Sequence, residues 1–478
     1  MKRNLVIWGG VAYLLLRWVL ATQPGYLADV RLYKYWMFRS AQDGLSQVYR
    51  TADCDYPPVL LYFLYPLGKL CGAIWPSEST DVLARGATDV VVRIPAFLMD
   101  AAIAVLLYRF AKGIASRAAE RSPPAHRGEE GGESARGRGP PGGGLGPVAL
   151  AGLYLLNPVI PVDNGLLGQT DSVNSFFVLA AFLSLANRRA WPSWVLLTLA
   201  ALTKPQAVPF FLLLLAASLA IYGLRRTLAG IGIAGLAALV VALPWVLRGE
   251  LIHAVRAVVL RNSLMPYMSA NAHNLWWPIG AWRDATVPWL GPFNATEIGI
   301  AVFLLFYLAV LFRGRRVHRS QPEGIQPPQI LAMAVMIAFG FFMFITVLHE
   351  NHLFSALPLL LPLAVAAPRL RRRVLLLYGA VSFSVLSNLL LHMPTIVDGW
   401  PFTLGGPSGV ECVQFHRPFF VAELWSIRFS VWWTIATFAV ALYWFFRPEG
   451  CGWLEQLRGA PWSRAPIPPP AGESPASG

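Results

Sequence analysis

Apolar stretches of roughly 20 residues, separated by short basic or turn-forming clusters, recur along the chain from Leu5 to Phe446. A window of about 20 apolar residues is long enough to cross a hydrocarbon core of about 30 Å. With no water inside the bilayer to satisfy backbone amides, such windows must be helical. The pattern predicts an all-α, polytopic transmembrane bundle of about twelve spans, at 5–21, 94–112, 147–161, 173–187, 190–203, 207–223, 227–247, 296–313, 329–347, 353–368, 372–392 and 428–446. The stretch 57–75 is apolar too, but a crossing there would move every later basic cluster to the outside. Left uncrossed, as an interfacial or re-entrant helix, it puts Lys2/Arg3, the Arg-rich loop 113–146, Arg188/Arg189, Arg225/Arg226, Arg313/Arg315/Arg316/Arg319, Arg369/Arg371/Arg372/Arg373 and the C-terminal tail all in the cytoplasm.

This topology divides the chain. Residues 1–112 hold the first helix, a long outer loop (22–93) and the second helix. Residues 113–146 are rich in Gly, Pro, Arg and Glu and read as a disordered cytoplasmic linker. Residues 147–446 form the rest of the bundle, with outer loops 248–295 and 393–427, and 447–478 is a flexible tail. The stretch Leu5–Ala21 resembles a signal peptide without a convincing cleavage site, so an uncleaved signal anchor is expected. Composition agrees: 56% of residues are hydrophobic, 13% are charged and mean hydropathy is +0.51. The net charge of +14 falls in clusters between spans, which makes it a topology signal and argues against a nucleic-acid partner. The cysteines, Cys54, Cys71, Cys412 and Cys451, show no metal-ligand spacing.

The long loops lie on one face, and so do the polar constellations. On a helix, Asp29, Tyr33 and Trp36 share a face, a carboxylate beside aromatic rings. The bland alternative for Asp29 is a solvated helix start. Asp53-Cys54-Asp55-Tyr56-Pro57-Pro58 positions an acid rigidly before two prolines. Asn157-Pro158 leads to Asp163-Asn164-Gly165 and then to Gly168-Gln169-Thr170-Asp171-Ser172, while Thr203-Lys204-Pro205-Gln206 and His349-Glu350-Asn351-His352 interrupt apolar runs at the same level. Polar residues at membrane edges each cost a few kcal/mol unless paired or facing a cavity. The two histidines and the glutamate of 349–352 lack the H-E-x-x-H arrangement, so no metal is assigned.

These motifs resemble the GT-C superfamily of membrane glycosyltransferases, over most of the chain from Leu5 to about His352. Asp29-x6-Trp36 followed by Asp55-Tyr56-Pro57-Pro58 looks like the first lumenal loop of the dolichyl-phosphate-glucose-dependent enzymes. Gly168-Gln169-x-Asp171-Ser172 and His349-Glu350 are similar to bacterial mannosyltransferases related to the second mannosyltransferase of glycosylphosphatidylinositol (GPI) synthesis. The segment 163–169 departs from the glucosyltransferases, so acceptor recognition does not carry over. The resemblance implies an inverting hexosyltransferase with a polyprenyl-phosphate sugar donor, a lipid-linked glycan acceptor and no cofactor. In it Asp29 is the general base, and Lys204, His349, Arg261, Glu350 and Gln206 contact the donor phosphate or substrate. Trp36, Asp55, Tyr56, Pro57, Asp163, Gln169 and Asp171 are positioning residues. A single base implies direct displacement.

A secondary transporter or lipid-linked-sugar flippase is the alternative, and a non-catalytic scaffold of the same fold is a third. The Ala/Gly/Arg/Pro bias points to a bacterial cytoplasmic membrane, while the sequon Asn294-Ala295-Thr296 on an outer loop suits the endoplasmic reticulum. The run Asn274-Leu275-Trp276-Trp277 either lines an acceptor groove or anchors at the membrane interface, the latter being the default.

Overall fold

The computed structural model describes residues 2–23, 25–52, 54–76, 86–120, 145–261, 266–322, 324–397, 421–447 and 452–457. Among these, helices make up almost all regular structure, joined by one short hairpin, Pro288–Leu290 paired with Phe293–Asn294. Six helical stretches are long and apolar enough to span a membrane: Ala87–Arg117, Pro205–Leu247, Ala295–Ser320, Pro327–Phe344, Arg371–Leu391 and Ile427–Phe446. Five more are apolar but shorter: Trp8–Ala21, Val59–Ile74, Asp171–Ala186, Ala190–Ala201 and Ala356–Ala366.

The gap between six and the expected twelve has local causes. A window of apolar residues takes no account of where backbone geometry breaks. At 147–161 the helix Pro147–Leu155 is only nine residues long, because Pro158 brings no amide donor and restricts the residue before it. The Asn157 side chain accepts a hydrogen bond from the Val159 amide at 3.0 Å, and the chain then enters a π-helix, Pro161–Leu167. Conversely, the continuous helical stretch Phe210–Leu247 contains Gly223 at φ 75°, ψ 175°, a backbone state foreign to any helix. The stretch is therefore two helices, divided where the sequence places Arg225 and Arg226.

The centre of the bundle is built from Pro327–Phe344 and Ala356–Ala366, whose side chains are buried nearly all round. A helix apolar on every face has no side for water and belongs at the core. Asp171–Ala186 packs beside them.

The outer loop builds its own small core. Helices Leu27–Asp43 and Val59–Ile74 lie together, burying Tyr33, Trp36, Met37, Phe38, Leu60, Leu61 and Leu64 with Trp245 and Ala254. At 16 residues Val59–Ile74 is about 24 Å long. It buries one face and exposes Tyr62, Leu70 and Ile74 on the other.

Backbone stitches fix this module on the bundle. The Tyr26 amide donates to Leu167 O at 2.9 Å and the Val59 amide to Leu202 O at 2.8 Å. Arg93, 1% exposed, donates to the carbonyls of Ala21, Gln23, Asp89 and Leu166 at 2.6–3.3 Å. Lys34, also buried, pairs with Asp89 at 3.0 Å.

Elsewhere the boundaries differ from expectation. The second span runs on as helix to Glu120 instead of ending at 112, and the remainder of the expected linker, 121–144, lies outside the described residues. So do 398–420 of the third outer loop, 458–478 of the tail, and Asp53, Cys412 and Cys451. Trp276 is 5% exposed and donates from Nε1 to Phe344 O at 2.7 Å, so it clasps the end of Pro327–Phe344 rather than anchoring in the interface.

Candidate functional site

Four separate segments meet beneath the outer-loop module. Asp29 comes from the first turn of Leu27–Asp43. Gln169 and Asp171 follow the π-helix, where Gly168 takes φ 80° and lets the Gln169 amide bond Asp163 O at 2.9 Å. A side chain at 168 would run into Val30 and Arg93, so this left-handed turn is closed to residues with a Cβ. Lys204 is held extended between Ala190–Ala201 and the turn Pro205–Ala207. Asn351 lies in the turn after Pro327–Phe344, entered through Val347 at φ 63°, strained for a β-branched residue.

A continuous polar chain joins them. Gln169 Nε2 donates to Asp29 Oδ2 at 2.7 Å. Asn351 Nδ2 donates to Gln169 Oε1 at 3.0 Å and to Asp171 Oδ2 at 2.8 Å. Lys204 Nζ grips both oxygens of Asp171 at 3.0 Å and sits 5.5 Å from the Tyr56 ring centroid. Tyr56 in turn shares a 2.9 Å hydroxyl contact with Tyr33 and stacks within 5.6 Å of Tyr33 and Trp36. Trp36 donates to Ala52 O at 3.1 Å, so it frames the site from within the outer-loop core.

Burial sets the charge states. It lifts the Asp29 carboxyl to about 6, against the Gln169 hydrogen bond and the Lys204 charge. It lifts Glu350 to about 7, with Asp29 and Asp171 adding repulsion. Asp163 is pushed well above the carboxylate range by burial and by Asp171, and neither of its oxygens has a hydrogen-bond partner. Burial works against the Lys204 ammonium, but Asp171, Tyr56 and Asp163 together outweigh it and the pKa rises. Burial, then Lys204, drops His349 to about 4.

The residues singled out from sequence therefore behave unequally. Asp29, Gln169, Asp171 and Lys204 are bonded in one chain, with Tyr56 against the lysine. Asp163 and Glu350 lie within electrostatic reach of it, Asp55 acts on it by charge through Asp29, and buried Pro57 ends the Asp55 turn. Two expected cations change character: Lys204 is already neutralised by Asp171, and His349 is neutral at physiological pH. Gln206 is half-buried in Pro205–Ala207. Arg261 ends the helix Leu251–Arg261, and its side chain lies outside the described set. Among the described residues no three His, Cys, Asp or Glu side chains are grouped to hold a metal ion.

Reading by sequence missed Asn351 as the link and, deeper down, a second cluster. Arg17 donates to Asp100 Oδ2 at 2.7 Å, and Tyr154, Asn164 and Ser172 also donate to that carboxylate. A lone Arg in one span and a lone Asp in another were the available signals.

Fold and site together define a multi-pass helical membrane protein with an acid-rich polar cluster held between its bundle and an outer-loop module. Residues 37–277, half of the chain, match the family described as GPI transamidase subunit PIG-U, and the chain belongs to the PIG-U family. A comparison with curated proteins finds no match.

Membership overturns the functional expectation. The family is that of a GPI transamidase component, so the GT-C hexosyltransferase, with Asp29 as its base, a polyprenyl-phosphate sugar as donor and a lipid-linked glycan as acceptor, is set aside. The transporter or flippase alternative falls with it. Motif order misled because acids, amides and a lysine gathered at one membrane edge do not by themselves fix a chemistry.

Proposed function

We infer that this chain is a membrane subunit of a GPI-transamidase-type complex and that its polar cluster holds a lipid-borne substrate at the outer membrane edge. The observation that carries this reading is the reach of the family match, which includes Asp55, Tyr56, Asp163, Gln169, Asp171 and Lys204. The cluster supplies oriented acceptors, aromatic faces and a lysine already neutralised, which suits holding a substrate. Asp29, Gln169, Lys204 and Glu350 then contact substrate, while Trp36, Tyr56 and Pro57 shape the outer-loop wall.

On this reading the membrane is that of the endoplasmic reticulum, and the outer face is lumenal. The outer loop 22–93 stays on that face, with Val59–Ile74 lying along the surface. The division at 146 and 446 is retained, and the first boundary moves from 112 to the helix end at Glu120. Shorter apolar helices such as Asp171–Ala186, Ala190–Ala201 and Ala356–Ala366 cross with help from their flanking residues, which brings the count toward twelve.

The test is rescue in cells whose own PIG-U gene is deleted. A tagged copy of this chain is expected to co-purify a GPI transamidase and to restore surface display of a GPI-anchored reporter. A chain that migrates alone and restores no display overturns the proposal.

A further inference from the structure

The outer loop 248–295 has an interior middle and an exposed end. Ser269, Ala270, Ala272, His273 and Asn274 are fully buried. The Ala270 amide donates to Leu348 O at 3.0 Å, and the His273 amide donates to Asn388 Oδ1 at 2.9 Å. The last stretch is the opposite. From Ala285 to Thr296 there is no charged side chain, and Val287, Trp289, Leu290 and Phe293 are 46–66% exposed. These residues belong to the hairpin of Pro288–Leu290 and Phe293–Asn294, which turns through Gly291 at φ 60°. A concentrated apolar surface of this kind marks a place that something covers.

The hairpin is held firmly. A two-stranded hairpin alone is marginal in water, but here the Trp289 ring meets Trp276 edge-on at 5.8 Å, and Trp276 is bonded to Phe344 O. The Thr296 amide donates to Ala285 O at 3.2 Å. Its polar side chains turn inward: Thr286 bonds Asp284, Asn294 caps the following helix, and Thr296 meets Thr346. What faces out is therefore almost purely apolar and aromatic.

Its depth follows from the helix that begins next, Ala295–Ser320. Arg315, Arg316 and Arg319, all exposed, mark the cytoplasmic end of that helix. The apolar run 295–312 rises about 27 Å, nearly the whole hydrocarbon core of about 30 Å. Asn294 thus lies at the outer boundary of the acyl region, with the hairpin beside it. The other end of the loop sits at the same boundary. Helix Leu251–Arg261 follows the span end at Leu247, packs Ala254 on the outer-loop core and exposes Ile252, Val255 and Val259 beside Arg256, as an interfacial helix does.

We propose that the hairpin Pro288–Asn294 is a lipid foot, with Trp289, Leu290 and Phe293 seated in the headgroup–acyl boundary of the outer leaflet. That boundary favours aromatic rings. A protein-binding patch of this size would carry a polar rim with hydrogen bonds to offer, and the polar side chains here are spent internally. The foot holds the loop 248–295 to the membrane while its middle plugs the bundle.

The test uses the full chain in its native membranes. A photoreactive benzophenone side chain placed at Leu290 is expected to form an adduct with lipid acyl chains on irradiation, read from the mass of the peptide that carries it. The same side chain at Asp284, at the charged base of the hairpin, is expected to form none. With the probe kept at Leu290, Phe293→Asp on the facing strand is expected to lower the lipid adduct about tenfold, by setting a charge at the boundary. Phe293, Leu290 and Asp284 are all exposed, so size exclusion of each variant is expected to match the wild type. Attachment of the Leu290 probe to a second polypeptide overturns the proposal in favour of a protein partner. A lipid adduct no stronger than that at Asp284, or one indifferent to Phe293→Asp, overturns it as well.

Discussion

Asp163 and Asn164 are neighbours in one turn of π-helix, yet they belong to two polar clusters of opposite character. Asn164 leans toward Asp100, whose carboxylate is surrounded by Arg17, Tyr154, Ser172 and Asn164 itself. Asp163 has no partner for either oxygen. Both carboxyls are buried completely or nearly so. What separates them is the completion of the carboxyl itself: both oxygens of Asp100 are bonded and tie the first helix to the second span, although the Asn164 oxygen beside them has no partner, while neither oxygen of Asp163 is bonded. In a low-dielectric interior the bonded carboxylate is structural, whereas the unbonded one is held toward its neutral form, first by burial and then by Asp171.

The comparison can be broken most forcefully at Arg17. Arg17→Met strips Asp100 of its cation and is expected to destabilise the protein by about 3–5 kcal/mol, the cost of orphaning a buried charge. Thermal unfolding in detergent reads this, and a small change would remove the distinction between the clusters. A smaller effect is expected at Glu350. The folded protein keeps this proton up to about pH 7, whereas the unfolded chain releases it near 4.5. Stability from this group is therefore full below about pH 4.5 and is lost as pH rises through 7, by up to about 3 kcal/mol. Glu350→Gln should match the wild type at pH 4 and melt higher at pH 8; parallel melting curves across that range would contradict the assignment. The smallest effect lies far from both clusters. Asn294 caps the helix Ala295–Ser320 by accepting from the Glu297 amide at 2.9 Å, so Asn294→Ala should cost about 1 kcal/mol. The same melting assay checks this, and an unchanged midpoint would mean the cap is idle.

Much of the site was readable because its residues are conspicuous where they stand. Asp29, Gln169, Asp171 and Lys204 interrupt apolar runs, and one topology sends all four to the same level. The bonds among them were not readable, since Asn351 joins Gln169 to Asp171 across 180 residues of chain. Nor was the pairing of the Lys204 charge with Asp171, or the loss of charge at His349, which follow from neighbours and burial. The helices around Gly223 were legible from the arginines after it, whereas the short helix before Asn157-Pro158 was lost inside an apolar window. The reaction was not legible at all. Residue types describe what a surface can hold, and a subunit that holds a substrate shares them with an enzyme that transforms one.

Arg93 also dictates an order of assembly. Its guanidinium binds carbonyls at Ala21, Gln23 and Leu166 together, so the seam between the first helix and the π-helix stays open until the ribosome has passed residue 166. A nascent chain arrested earlier has made Arg17 and Asp100, and can tether its first helix, but it carries a buried-type arginine with one of its four carbonyl acceptors missing. Truncations in the first third of the gene should thus yield a product that membrane quality control sees as unfinished, however well its individual helices insert.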